Sequence, residues 1–437
     1  MAVTSNHLIP RLNGKNFLEY PSLGYLPIAL TLAMREKPPD FLAFLPIVFF
    51  GMGTVLITFL TGKRLAGERI GLLSGFILST MLGFITLHRH CRVDPALLFF
   101  VTLSLYGFVT GYHVPKKRFP SFAVFYLAMA GAFLSKGIIG AAIPIGTALV
   151  FLTTRRDLTT IRRLFVGPGI LFFLVPVFLW VGSVWWLEGF GIFQEVIWQS
   201  LHRFSSSAAD HAQPFYYYLI PAFLHLMPWT LLPLVLLWHR SEPDDSREAL
   251  SRSLLLKFAL VWFLTVFISL FLASAKRLVY LGPILPPFAI LTALGWDRVR
   301  EKLPGVRRWE FYGLMIIFLV YIGAYQLFII PSERKKSLRP VFEAVSSQQT
   351  NGPVYLVHPS EALLGASFFY LGKRTPVLNE QDLLLGRFIN QPGTTLVINF
   401  YSHDDQLLST LRSKGYRLLL QKKYGKAAGV FVYSNSS

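Results

Sequence analysis

The chain has 437 residues, 53% of them hydrophobic and only 15% charged; soluble domains are about a quarter charged, so the composition excludes an ordinary soluble fold and marks a membrane protein. The formal net charge of +19 raises nucleic acid as a partner, but Lys and Arg fall in short clusters between apolar runs. That placement suits loop charges that set topology and meet anionic membrane lipids, so no nucleic-acid partner is expected. The single cysteine, Cys91, excludes a disulfide framework and any multi-cysteine metal site.

Residues 1–20 are polar and mixed, without the apolar core of a signal peptide. Residues 20–34 are apolar but short and flanked by proline, which predicts a helix lying in the membrane interface. A span needs about 20 mainly apolar residues. Ten such runs follow, near 41–61, 70–88, 95–112, 122–136, 138–154, 164–187, 217–238, 254–274, 278–294 and 310–330. From residue 331 the chain turns polar and then shows β-type runs at Val354–Val357, Thr395–Phe400 and Val430–Tyr433, with helix-like stretches near 360–370 and 404–414. The expected architecture is an all-α polytopic membrane domain of about ten spans over residues 1–330, and a small α/β domain over residues 331–437. That second domain carries no nucleotide-binding glycine pattern, and its plain reading is a structural cap or a partner surface.

The basic clusters set the orientation. Lys63, Arg64 and Arg69, then Lys116, Lys117 and Arg118, Arg155, Arg156, Arg162 and Arg163, Arg240, Arg247 and Arg252, and Arg298, Arg300, Lys302, Arg307 and Arg308 all fall in one set of loops, which is therefore cytoplasmic. The opposite set holds residues 1–40, the turn 88–94, the loop 188–216, the turn 275–277 and the C-terminal domain. Several cations break the rule by lying on that outer side: Arg89 and Arg92, Lys136, Arg203, Lys276 and Arg277. Each alone could be a side chain snorkelling to the interface. Together they predict an anion site at the outer leaflet, and a lipid phosphate is the natural ligand. Acids on this face are few, chiefly Glu19, Asp94, Glu188, Glu195 and Asp210. Beside such cations an acid can act as a general base or hold an acceptor. Glu19 can equally be an ordinary helix-start charge, and Asp94 an Asp-Pro helix cap.

The segments IPRLNGKNFLEYPSLGYLPIAL, RVDPALLFF, LSKGIIGAAIP, HRFSSSAADHAQPFYYYLIP and FLASAKRLVYLGPILPPFAIL occur in that order. This series resembles the aminoarabinose transferase and protein O-mannosyltransferase-like membrane glycosyltransferases of the GT-C fold, over residues 1 to about 330. The resemblance implies an inverting transfer of a sugar from a polyprenyl-phosphate donor to a lipid or protein acceptor, at the outer face of the cytoplasmic membrane. It places Glu19 at a family acid, Asp94 at the Asp-Pro motif, and Lys136, Arg203, His211 and Lys276 around the phosphate or sugar. Tyr20 departs from the pattern, because the family carries Lys there. The resemblance also implies an earlier span followed by an Asp-Glu pair, whose Asp is a leading candidate for the catalytic base. Met1-Ala2-Val3 resembles the middle of the helix after that pair, so the chain as given is expected to lack the first span and that base, and to be inactive or nearly so.

No Asp-x-Asp motif is present, and Asp244-Asp245 sit in a cytoplasmic loop; no metal ligand is assigned and metal dependence stays open. Two other classes compete with the enzyme: an inactive lipid-phosphate-binding membrane protein or partner-dependent subunit, and a transporter. Transporters usually show paired internal repeats, and none is visible here. The topology is open to direct test. Alkaline phosphatase fused at residue 340 should be active and the same fusion at 245 inactive; a cytoplasm-only reporter active at 340 would contradict the orientation.

Overall fold

The computed structural model describes residues 8–17, 19–34, 39–194, 213–238, 246–273, 276–347, 352–379, 392–400, 405–424 and 428–435. The chain forms two compact units. One comprises Met1–Pro10 and Leu18–Leu314; the other comprises Arg11–Phe17 and Met315–Ser437.

The first unit is helical. A short helix, α1 (Leu26–Leu32), occupies the run expected to lie in the interface. Then follow α2 (Phe41–Ala66), α3 (Glu68–Thr80), α4 (Leu82–His88), α5 (Asp94–His113), α6 (Arg118–Lys136), α7 (Ile138–Thr154), α8 (Leu158–Val166) and α9 (Leu171–Glu188). After the 3₁₀ turn Phe215–Tyr218 come α10 (Leu219–His225), α11 (Arg247–Leu272), α12 (Leu285–Lys302) and α13 (Pro304–Ala324). Among the described residues, seven helices are long and apolar enough to cross a membrane, or up to eight if the bent pair α3–α4 is one span. The chain is a multi-pass membrane protein.

Several of the ten apolar runs take a different form from a single long helix. The run 70–88 breaks at Met81, where the backbone is extended, and the two helices bend by 63°. The run 217–238 is cut into short helical pieces, and Pro221, Pro228 and Pro233 supply the reason, since each removes an amide donor and crowds the preceding turn. The run 138–154 does form one helix, α7, but of only 17 residues.

Small residues set the spacing between helices, as expected where lipid tails are as apolar as the side chains and close packing drives association. A Cβ on Gly62 of α2 would stand 2.9 Å from the Gly71 Cα of α3, and one on Gly71 would stand 2.6 Å from the Phe59 carbonyl oxygen. The two helices therefore touch backbone to backbone, and Gly67 at φ 91° reverses the chain between them. Helices α5 and α6 meet similarly at Gly107, and the Ser104 hydroxyl donates to the Phe125 carbonyl across the contact, at 2.8 Å. Phe108, Phe125, Phe151, Phe258 and Trp262 fill the space where α5, α6, α7 and α11 come together. At the α6–α7 turn Gly137 has φ 70°, and a Cβ on Gly140 would fall 2.0 Å from the Ala132 carbonyl oxygen. This tight turn leaves Lys136 as the last residue of α6, with no freedom to slide along the helix axis.

The second unit contains a five-stranded sheet in the order β4-β3-β5-β7-β6, built from β3 (Val354–Val357), β4 (Val377–Leu378), β5 (Thr395–Phe400), β6 (Arg417–Tyr424) and β7 (Ala428–Ser434). Strand β3 runs parallel to β4 and β5, while β5, β7 and β6 are antiparallel. Alternation assigns the two faces: Leu396 and Ile398 of β5 join Leu411 and Tyr416 on one side, and Val397 joins Val341, Phe342 and Leu363 on the other. Val341 and Phe342 come from α14 (Arg339–Ser347), Leu363 from α15 (Glu361–Leu371) and Leu411 from α16 (Asp405–Ser413), while Tyr416 immediately precedes β6. A small hairpin, β1 (Arg11–Leu12) with β2 (Lys15–Asn16), belongs to this unit although it lies near the start of the chain. Its turn at Asn13 and Gly14 has positive φ at both residues, and the Asn13 side chain donates to the Thr375 carbonyl at 3.2 Å.

Candidate active site

The site forms where α6 ends and α5 begins. Asp94 lies in the first turn of α5, just before Pro95, and Lys136 lies in the last turn of α6. A carboxylate is favoured at a helix N-terminus and an ammonium at a C-terminus, so each helix end supports the charge it carries. The two side chains meet: Lys136 Nζ donates to Asp94 Oδ1, and both are almost fully buried. An ammonium and a carboxylate are expensive to take out of water, and only their mutual contact and good geometry offset that cost.

Two aromatic rings complete the surroundings of Lys136. Its Nζ lies 4.8 Å from the centre of the Tyr280 ring and 5.5 Å from that of Tyr20, distances at which a ring face attracts a cation. Tyr20 is brought there by the segment that follows it. A Cβ on Gly24 would stand 2.7 Å from Val93 and 3.1 Å from the Ser135 carbonyl, so the Ser22–Gly24 turn packs against the residues preceding Asp94 and Lys136. The indole N–H of Trp180 on α9 donates to the Ser22 hydroxyl at 3.2 Å and ties the turn from the other side. Glu19, next to Tyr20, is half-buried.

Lys276 is buried and has a definite employment. Its ammonium donates to the carbonyls of Ala273, of Phe271 at 3.3 Å and of Leu270 at 3.5 Å, which are the orphan acceptors at the C-terminus of α11. Burial lowers its pKa. The Tyr218 ring lies 5.9 Å from Lys276 Nζ, and the Tyr218 hydroxyl accepts from the Arg277 amide at 3.1 Å and donates to the Arg277 carbonyl at 3.2 Å. These contacts fix the turn that carries Tyr280 toward Lys136. Arg277 is itself exposed. In the 88–94 turn Arg89 is half-buried and Arg92 exposed, and the Cys91 thiol donates to the Ala43 carbonyl at 3.6 Å. Arg203 and His211, with Glu195 and Asp210, lie outside the described residues.

The structure thus joins Asp94 to Lys136 and connects the Lys276 turn to Lys136 through Tyr280. Tyr280, Tyr218 and Trp180 were not singled out from the sequence, because an aromatic residue in an apolar run gives no sign of facing a charge. Among the described residues no group of three or more His, Cys, Asp or Glu side chains is placed to hold a metal ion.

Residues 20–180, which contain Tyr20, Asp94 and Lys136, match the family of dolichyl-phosphate-mannose-protein mannosyltransferases. An undecaprenyl phosphate-alpha-4-amino-4-deoxy-L-arabinose arabinosyl transferase of Pseudomonas savastanoi pv. phaseolicola is 27% identical over 367 residues, 82% of this chain and 63% of that protein. An uncharacterized protein of Aquifex aeolicus is 28% identical over 304 residues, 67% of this chain and 56% of its own length. This chain thus spans less than two thirds of these relatives. The crystal structure of ArnT from Cupriavidus metallidurans bound to undecaprenyl phosphate superimposes with a TM-score of 0.77 at 17% identity, covering 100% of this chain and 92% of ArnT. The chain has the GT-C fold of ArnT, and the match to the mannosyltransferase family lies within its helical unit.

The buried pair makes a quantitative prediction. Asp94→Asn or Lys136→Met alone should cost roughly 3–5 kcal/mol, because each strands a buried charge. The double variant should recover much of that loss in thermal unfolding of the purified protein. Strict additivity of the two single losses would show that the side chains are not coupled.

Proposed function

We propose that this chain, against the inactivity expected from the resemblance, transfers a sugar from a polyprenyl-phosphate-linked donor to a lipid or protein acceptor at the outer face of the cytoplasmic membrane, with inversion at the anomeric carbon. The observation that carries the reading is the Lys136–Asp94 pair buried beneath Tyr20 and Tyr280. The donors and lipid named for its relatives agree with it.

In the proposed reaction the acceptor hydroxyl oxygen attacks the anomeric carbon. The bond from that carbon to the phosphate oxygen breaks, the hydroxyl proton passes to a carboxylate, and the polyprenyl phosphate leaves with the bonding electrons. Negative charge therefore grows on the phosphate, and a fixed ammonium in a dry setting is worth most there. Lys136 takes this role, and Asp94 orients it. Lys276 holds the turn of Tyr280, while Arg92 and Arg277, the exposed cations of the two turns, meet the headgroup phosphate together with Arg89. Glu19 is the carboxylate of the segment seated by Gly24 and faces the acceptor. Arg203 and His211 act on the same phosphate or sugar. The C-terminal unit lies outside the cytoplasm.

The test is transfer by the purified protein in proteoliposomes, supplied with undecaprenyl-phosphate-linked 4-amino-4-deoxy-arabinose and lipid A, then with other undecaprenyl-phosphate sugars. The expected result is release of undecaprenyl phosphate together with a glycosylated product, slowed about 100-fold or more in Lys136→Ala. Binding of undecaprenyl phosphate without release from any donor would contradict transfer and leave a lipid-phosphate-binding protein.

A further inference from the structure

Helix α5 carries Asp94 at one end and His113 at the other, about 30 Å apart at 1.5 Å per residue. At the His113 end the helices of the membrane unit converge on a second charged centre. Arg69 Nη2 donates to both carboxylate oxygens of Glu310, at 2.7 Å each, and Arg69 Nε stands 3.6 Å from Asp297. Arg252 donates to Asp297 and lies 3.5 Å from Glu301, and Arg300 Nε lies 3.4 Å from Glu310. The Trp296 indole adds a hydrogen bond to Glu310 at 2.8 Å. Next to Arg252, the Ser251 hydroxyl lies 3.2 Å from His113 Nε2, and Arg64 and Arg247 stand close enough for their charges to act on that ring.

Two properties separate this centre from an ordinary basic loop. Its arginines outnumber its carboxylates, and it is largely enclosed, with the Arg69 side chain 31% exposed and that of Glu310 16%. It also contains donors with nothing to donate to. Arg64 Nε and Arg69 Nη1 are buried and make no hydrogen bond. A buried charged donor left unpaired costs more than the 1–3 kcal/mol of a neutral one. The two arginines are level with each other on the α2–α3 hairpin: Gly62 and Gly71 are in backbone contact, and Arg64 and Arg69 each lie two residues nearer the turn. Arg64 acts on the His113 ring beside Ser251, and Arg69 stands 3.6 Å from Asp297, the partner of Arg252, so both orphan donors border the Ser251–Arg252 stretch of α11, where an oxyanion would offer them acceptors.

We propose that the arginine cluster around Arg64 and Arg69 binds the phosphate of an anionic phospholipid of the cytoplasmic leaflet. Its place among the basic loops puts it on that side of the bilayer, where anionic headgroups meet helix ends. The same phosphate chemistry could be supplied by free phosphate, and the experiment separates the two.

The purified protein is mixed in detergent with phosphatidylglycerol, phosphatidylcholine or inorganic phosphate, and retained lipid is read by native mass spectrometry alongside thermal unfolding. The expected result is saturable retention of phosphatidylglycerol in preference to phosphatidylcholine, with a raised melting temperature that declines at high salt. Arg64→Gln should weaken the retention about fivefold, the effect of one arginine near an anionic surface. Arg64 is the residue of choice because it lies outside the ion pairs that bind α3, α11, α12 and α13 together. Equal retention of the two lipids by the unaltered protein overturns the proposal whether or not the variant folds. Full stabilisation by inorganic phosphate with no lipid preference overturns the lipid headgroup and assigns the site to a free anion. Unchanged retention in a folded Arg64→Gln protein also overturns the proposal, which rests on the orphan donor of Arg64.

Discussion

The membrane unit is organised around a lysine and an aspartate that are almost fully buried. Lys136 and Asp94 are drawn from different helices, and each sits at the end whose dipole suits its charge. Their burial is costly, so the surrounding packing must hold them in contact. That requirement accounts for features that otherwise look unrelated. Gly137 and Gly140 make the sharp turn that stops α6 at Lys136; Gly24 lets the N-terminal segment settle on Val93 and Ser135; the turn at Lys276 carries Tyr280 over the ammonium.

The architecture was legible in the sequence wherever one physical signal was strong. Long apolar runs gave the membrane helices, and alternating β-branched residues after 331 gave three strands of the C-terminal sheet. Runs interrupted by proline were harder: hydropathy averages over Pro221, Pro228 and Pro233 and sees one span where the backbone breaks. The bend at Met81 has no comparable marker. Hairpin β1–β2 escaped because its strands are two residues long, and its place with the C-terminal unit depends on Asn13 reaching Thr375 across 362 residues.

The site was legible in part, for a similar reason. Lys136 stood out because a lone cation between two apolar runs is anomalous, and Asp94 because it opens a span. That the two pair is a tertiary fact. Lys276 also stood out as a misplaced cation, but the carbonyls it caps belong to the helix end just before it, and sequence cannot distinguish that arrangement from a side chain aimed at a ligand. Tyr20, which departs from the family pattern, proves to face Lys136 with its ring. A ring face attracts a cation and offsets part of what it loses with its water, which suits a site that meets a phosphate.

The central claim is that Lys136, beneath Tyr20 and Tyr280, faces the phosphate of a polyprenyl lipid. Photocrosslinking tests it most directly. The photoreactive residue p-benzoylphenylalanine is placed at Tyr20, at Tyr280 and, as a control, at the exposed Tyr312, and the membranes are irradiated with radiolabelled undecaprenyl phosphate. The account predicts adducts at positions 20 and 280 that excess unlabelled undecaprenyl phosphate abolishes, and none of that kind at 312. Equal, uncompeted labelling at all three positions would contradict it.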